Sequence, residues 1–216
     1  MRTLLFAPSF DRATKISHTY YDYAINEMKT RPNKCFDNEN ATRNNFEKNI
    51  KYTDLFAFWD HGGELSLVSQ NKNSIVDKDN ASLLKGKEIW TVACLSAKEI
   101  GPYTIKKGAK LWQGYDAAVS ITDQAPFADI FADAYNKGFL ERVNNNKSFE
   151  LCEKKQREKF KESIDLCKNM SDNSGLFFAT ILSSSLKHLK YIKKEPCNIK
   201  KFFRFIIFKI NKLIKR

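Results

Sequence analysis

The chain has 216 residues, 42% of them hydrophobic and 17 of them Phe, enough for one domain of ordinary size with a packed core. A net charge of +12 would suit a nucleic-acid binder, yet residues 187–216 hold eleven Lys or Arg against one acid, so the basicity belongs to a tail rather than to a face of the domain. No run approaches the roughly 18 apolar residues of a spanning helix, and MRTLLFAP has neither the apolar length nor the small-residue cleavage site of a secretory leader.

In chain order, residues 2–7 (RTLLFA) read as a first buried strand, ended by Pro8 and the polar loop Ser9-Phe10-Asp11-Arg12. Residues 13–28 place Ile16, Tyr20, Tyr23, Ala24 and Met28 at helical spacing. The polar stretch 29–41 reads as loop, and 42–50 as a short helix whose polar side chains face water. Two apolar runs follow, Leu55 to Trp59 and Ile89 to Ala93, each short, aromatic or β-branched, and each halted by turn signals. The first halts at Asp60-His61-Gly62-Gly63, the second at Cys94. Between them, 65–68 reads as a short strand or edge, 71–80 as loop and 81–86 as a brief helical turn. After the turn-like KKGAKLWQG, the run Tyr115 to Ile121 reads as a third strand.

Asp123-Gln124-Ala125-Pro126 reads as a helix start, with the helix from Phe127 to about Leu140 fraying at Gly138. Residues 149–170 form a charged helix with few apolar positions, Leu151, Ile164 and Leu166. Residues 176–182 and 186–192 fit two strands joined at Ser183-Ser184-Ser185, with a single helix over 175–194 as the alternative. Strands alternating with helices imply a mainly parallel sheet covered on both faces. Ligands of such sheets bind beyond the carboxyl ends of the strands, where His61 and Cys94 fall.

Five cysteines (Cys35, Cys94, Cys152, Cys167, Cys197), none in a CxxC pair, and three distant histidines speak against zinc and against a disulfide framework. Cys152 and Cys167 on one helix would lie about 22 Å apart, too far to bridge. No metal or other cofactor is expected, and a reduced, cytoplasmic compartment fits best.

A cysteine at one strand end and a histidine at the next are the parts of a nucleophile and its acid/base. Cys94 supplies the sulfur and His61 the proton for a leaving amine. Gly62 and Gly63 let a substrate carbonyl approach the backbone, and the N–H groups of Gly62 and Cys94 are candidate oxyanion donors. The competing reading is a small buried hydrophobe and a turn histidine.

The stretch FAFWDHGGE…EIWTVACLSA…GYDAAVSITDQAPFADIFADAY resembles the caspase-like (clan CD) cysteine peptidases, most nearly the bacterial CHAT-type proteases, over about residues 2–145. In that family one strand ends in His-Gly and the next in the catalytic Cys, here His61-Gly62 and Ala93-Cys94. The resemblance implies a three-layer α/β/α sandwich over residues 1–195 and peptide-bond hydrolysis by a Cys–His dyad on protein or peptide substrates. It also implies that a partner can be needed to switch the enzyme on. The family's specificity pocket maps to Ser9–Arg12 and Ser120–Asp123, which makes Asp11 and Asp123 candidate carboxylates for a basic residue before the cut, with Asp60 and Asp116 as rivals. Arg12 would instead neutralise such a pocket. The alternatives are the same fold without turnover, a scaffold docking a partner or membrane, and a flavodoxin-like binder, which the lack of a Gly-rich phosphate loop disfavours.

Residues 196–216 form a separate basic segment. Ile199, Phe202, Phe203, Ile206, Ile210, Leu213 and Ile214 fall on one helical stripe, with Lys200, Lys201, Arg204, Lys212 and Lys215 opposite. Such a cationic amphipathic helix suits an anionic membrane surface or a partner protein through 197–216 and is too apolar for nucleic acid.

Overall fold

The computed structural model describes residues 1–170 and 173–194. The segment read from sequence as a basic amphipathic helix, 196–216, lies outside the described residues, and so does Cys197.

Eight strands and six α-helices follow one another along the described chain as β1 (Thr3–Ala7), α1 (Arg12–Glu27), β2 (Lys34–Asp37), α2 (Arg43–Asn49), β3 (Leu55–Trp59), β4 (Leu67–Val68), β5 (Ser74–Val76), β6 (Glu88–Val92), α3 (Ile100–Lys106), β7 (Leu111–Tyr115), α4 (Phe127–Asn145), α5 (Phe149–Lys168), α6 (Asn173–His188) and β8 (Leu189–Lys193). Six strands build the central sheet in the order β2-β1-β3-β6-β7-β8, and β4 and β5 form a separate hairpin. All neighbours in the large sheet are parallel except β7 and β8.

β1, β3, β6 and β7 are buried along their whole length, because helices cover both faces of the sheet. The period of two divides their side chains. Leu5, Ala57, Trp59, Trp90, Val92 and Tyr115 pack under α1, α4, α5 and α6. Leu4, Phe6, Phe56, Phe58, Ile89 and Trp112 face α2, α3 and the hairpin, where Phe46 of α2 is buried against them. The architecture is the expected α/β/α sandwich with a mainly parallel sheet.

Several elements differ from expectation. The third long strand is LWQGY, and residues 116–126 are irregular. Gln113 can lie in a buried strand because its side-chain oxygen accepts the Thr91 N–H at 3.1 Å. The polar stretch 29–41 contains the edge strand β2, held by its backbone ladder to β1 rather than by apolar side chains. Likewise, 71–80 contains β5.

Gly138 does not end α4, which runs on to Asn145. A side chain at 138 would lie 2.2 Å from Tyr191 Oη and 2.7 Å from Gln156 Oε1, so glycine admits that hydrogen-bonded pair of α5 and β8 against the helix. α5 buries Cys152, Gln156, Phe160, Ser163, Ile164 and Cys167 and leaves Leu166 exposed. Finally, 173–188 is one helix followed by one strand, not two strands. Ser183 and Ser185 sit inside α6 by bonding the carbonyls of Ala179 and Ile181 one turn back.

Candidate active site

β3 and β6 are adjacent and parallel, and their last paired residues are Trp59 and Val92. His61 and Cys94 each lie two residues beyond that pair, so the register alone brings them to one place. The strand ends are closely fitted. A Cβ on Gly62 would lie 2.6 Å from the Cys94 carbonyl oxygen and 2.9 Å from the Ala93 Cβ, so only glycine lets the two chain segments approach this far.

After His61 the chain folds back toward β4. Gly63 N–H bonds the Ser66 carbonyl at 2.8 Å and Val68 N–H bonds the His61 carbonyl at 3.1 Å. Gly62 N–H takes part in neither bond, whereas that of Gly63 is spent. After Cys94 the chain turns sharply through Leu95, whose φ of 57° is unusual for a branched residue. Leu95 N–H bonds the Ala117 carbonyl, and Ser96 Oγ bonds the Ala93 carbonyl and lies 2.8 Å from Thr91 Oγ1. These bonds tie the cysteine turn to the residues after β7.

Cys94 is partly buried and carries a free thiol. Its sulfur accepts the Val119 N–H at 3.2 Å and lies 3.6 Å from the Val119 carbonyl oxygen. After Tyr115, the last residue of β7, the run to Ile121 thus passes beside the cysteine instead of joining the sheet. His61 is held from the other side. Its Nε2 lies 2.9 Å from Asp11 Oδ2, and the Phe10 ring packs 5.7 Å from the imidazole.

Asp11 also caps α1, taking the Thr14 N–H on Oδ1 at 2.9 Å while Thr14 Oγ1 receives the Asp11 N–H. Burial opposes ionisation of Asp11, but the Thr14 N–H and His61 outweigh it and hold the carboxyl below its ordinary range. Both carboxyl oxygens of Asp11, a candidate pocket carboxylate, thus already have partners in His61 and the Thr14 N–H.

A pocket of about 90 Å³ opens between the two strand ends, lined by Ala13 and Ser17 of α1, Asp60, His61, Val92, Ala93, Cys94, Val119 and Ile121. Asp60 is 5% exposed. One of its oxygens accepts the His61 N–H, and the other is buried with no partner. Burial, with the charge of Asp11 adding to it, pushes the carboxyl up to about 8 despite that bond.

The other two candidate aspartates stand apart from this pocket. Asp116 pairs with His188 at 2.7 Å and Lys190 at 3.0 Å where β8 begins, and Asp123 is exposed on the loop before α4. Arg12 is also exposed and does not line the cavity. Sequence reasoning missed Ser17, Val119 and the Asp11–His61 pair. The helical spacing of Ala13 and Ser17, one turn apart at the head of α1, was the only signal for the first. Among the described residues no three His, Cys, Asp or Glu side chains cluster as metal ligands would.

No model of a known protein family matches the chain, and no curated protein sequence matches it. Solved structures do. The Arg-specific cysteine proteinase gingipain R (RgpB) matches with a TM-score of 0.51 at 12% identity, over 89% of this chain and 46% of that one. A complex of the pro- and mature domains of RgpB from Porphyromonas gingivalis matches with a TM-score of 0.48 at 11% identity, over 89% of this chain and 47% of that one. The chain spans about half the length of either structure. The likeness is one of fold: this chain has the caspase-like α/β sandwich of gingipain R.

Proposed function

We propose that the chain is a cysteine endopeptidase that cleaves polypeptides after a basic residue, with Cys94 as nucleophile and His61 as acid/base. The observation that carries the reading is the register. It sets His61 and Cys94 at equal heights beyond neighbouring parallel strands, on one pocket. The caspase-like fold supports it, and so does the resemblance of His61-Gly62 and Ala93-Cys94 to the strand endings of clan CD and CHAT-type proteases.

The Cys94 thiolate adds to the scissile carbonyl, and the N–H groups of Gly62 and Cys94 are the candidate donors to the oxygen that becomes negative. His61 gives a proton to the leaving amine as the C–N bond breaks, leaving an acyl-enzyme. His61 then takes a proton from water, which attacks the thioester and frees Cys94. Asp11 keeps the imidazole oriented through Nε2, which leaves Nδ1 for the reacting groups. In this reading the protein works in the cytoplasm on protein substrates, and its basic tail holds it to an anionic surface or a partner.

The test is labelling with peptidyl acyloxymethyl ketones carrying Arg, Lys or Asp next to the warhead, on wild type, Cys94→Ala and His61→Ala, with the adduct located by mass spectrometry. The expected result is an adduct on Cys94 alone, lost in both variants. If the other cysteines react and Cys94 does not, the reading fails and a catalytically silent scaffold replaces it.

A further inference from the structure

We infer that the end of the sheet opposite the cleft is a docking face for an anionic phospholipid bilayer, which turns the cleft away from the lipid. The inference rests on the reading in which the chain attaches to an anionic surface, and it adds the face of the domain that meets it.

Counted along the chain, the charge lies in the tail, and the acids and bases of the rest nearly balance. The fold distributes that balance unevenly. β1, β3, β6 and β7 all start at one end of the sheet, and β8 finishes there. A row of backbone hydrogen bonds crosses this end. Asp54 N–H bonds the Arg2 carbonyl at 2.8 Å, Glu88 N–H that of Asp54 at 3.0 Å, Lys110 N–H that of Lys87 at 2.8 Å, and Lys194 N–H that of Lys110 at 3.2 Å. The four segments on that row, 50–54, 85–88, 106–110 and 193–194, hold eight Lys and two acids. Both acids are spent, Asp54 on Arg2 at 3.3 Å and Glu88 on Arg142 at 2.7 Å. Lys51, Lys85, Lys106, Lys107, Lys110 and Lys194 are exposed, and none of them forms an ion pair among the described residues. Strands lie about 4.8 Å apart, so cations on neighbouring strand starts stand within a Debye length of one another and repel. An anionic surface laid on them relieves that repulsion.

The kind of partner follows from what surrounds the lysines. The face is a row of strand ends, not a groove that could track a nucleic-acid backbone. Its unpaired cations are lysines, point charges without the planar fork that suits bidentate phosphate recognition. Tyr52 and Leu83, 60% and 40% exposed, stand beside them on the turns Ile50–Tyr52 and Ala81–Leu84, which pack together. Lys51 Nζ sits 4.8 Å above the Tyr52 ring, so that face of the ring is not free to stack on a base. A tyrosine and a leucine among lysines suit the headgroup layer of a bilayer. These apolar side chains are isolated and form no insertable stretch. The face therefore orients and tightens an attachment made through 197–216 and does not replace it.

The first measurement needs no variant. Amine acetylation of the full chain is followed by mass spectrometry, with vesicles of phosphatidylcholine alone or with about 30% phosphatidylserine. The mixed vesicles should slow acetylation of Lys85, Lys107 and Lys110 several-fold and leave Lys15, Lys161 and Lys187 unchanged, and the neutral vesicles should protect none of them. The second compares two triple variants of the full chain with the same change in net charge. Each lysine near an anionic bilayer is worth about fivefold in affinity, so Lys85→Glu/Lys107→Glu/Lys110→Glu should bind the mixed vesicles about a hundredfold more weakly. Lys15→Glu/Lys161→Glu/Lys187→Glu should stay within about threefold of the wild type, because screening confines the effect to charges near the lipid. Circular dichroism checks that both variants fold.

Lysines at this end that acetylate equally fast with and without mixed vesicles overturn the assignment. So does an equal loss of affinity in the two variants, which would make total charge rather than this face responsible. Loss of single-stranded RNA binding with vesicle affinity retained in the first variant would give the face to nucleic acid instead. If the wild type does not sediment with mixed vesicles, the attachment reading has failed and the face falls with it. The peptidase reading stands or falls separately, on the labelling of Cys94.

Discussion

Two aspartates set the chemistry around His61, and they do so in opposite states. Asp11 has partners on both oxygens, which hold its carboxyl below the usual range, whereas burial pushes Asp60, one residue before His61, up to about 8. Two jobs meet on Asp11, helix cap and imidazole partner, and substitution can separate them. Asparagine caps a helix about as well as aspartate, so Asp11→Asn should melt within a few degrees of the wild type near neutral pH. Without the charge, His61 loses the anion that orients it. Labelling of Cys94 should slow about tenfold or more. Asp11→Ala should show the same slowing and lose about 1 kcal/mol of stability besides, as a missing cap does. Because the folded state holds the Asp11 carboxyl below its ordinary range, its support of His61 persists above that range and is lost only as pH falls through the lowered value. The Asn variant should be slow at every pH. A variant that labels at the wild-type rate would remove Asp11 from the mechanism.

At the scale of elements, the site depends on how closely β3 and β6 end beside each other, and Gly62 is where that fit is tightest. A methyl group there meets backbone, not a movable side chain. Gly62→Ala should therefore cost about 1–3 kcal/mol as the strand ends part. Labelling of Cys94 should fall more than tenfold, with the sheet retained by circular dichroism. Gly63→Ala is the natural comparison, because a Cβ there has nothing nearer than the Ser66 carbonyl oxygen at 4.0 Å. Equal effects from the two substitutions would show that the fit at Gly62 does not matter. The same ends were the most legible part of the sequence. LFAFW is apolar along its length, EIWTV is interrupted only by Glu88 and Thr91, and both stop at turn residues, the pattern of short strands buried on both faces. Legibility failed where backbone bonding outweighed composition. YDAAVSI scans as a strand, yet after Tyr115 its backbone turns to side chains, Val119 N–H to the Cys94 sulfur and the Ser120 carbonyl to the Tyr135 hydroxyl, and just beyond it Thr122 N–H reaches the Tyr20 oxygen. LWQGY scans as a turn because Gln113 and Gly114 interrupt it, although its ladder to β6 and β8 holds it in the sheet. The Asp11–His61 pair could not be read at all, since 50 residues separate its members and only the folded sheet brings them together.

The whole molecule has a direction. His61 and Cys94 lie beyond the carboxyl ends of the parallel strands. β8 runs the other way, from Leu189 beside Tyr115 to Lys193 beside Leu111, so the described chain leaves the sheet at the end opposite the cleft. Among the described residues no helix is long and apolar enough to cross a membrane; in the proposed reading, attachment to an anionic surface draws on the basic and apolar residues of the 197–216 sequence. Each Lys or Arg near an anionic bilayer contributes about 1 kcal/mol, and the contribution fades within a Debye length of about 8 Å at physiological salt. The full chain should therefore sediment with phosphatidylserine vesicles but not with neutral phosphatidylcholine vesicles, and about 0.5 M salt should release most of it. A chain ending at residue 196 should stay in the supernatant while Cys94 is labelled at the same rate, because β8, the last described element, ends at the edge of the sheet opposite the cleft. Vesicle binding that survives the truncation would move the membrane contact onto the domain itself. Vesicle binding that ignores salt would mean that apolar insertion, not charge, holds the tail. A labelling rate that changes when the tail is removed would show that the two ends communicate, and the tail would then belong to the control of the site rather than to its placement.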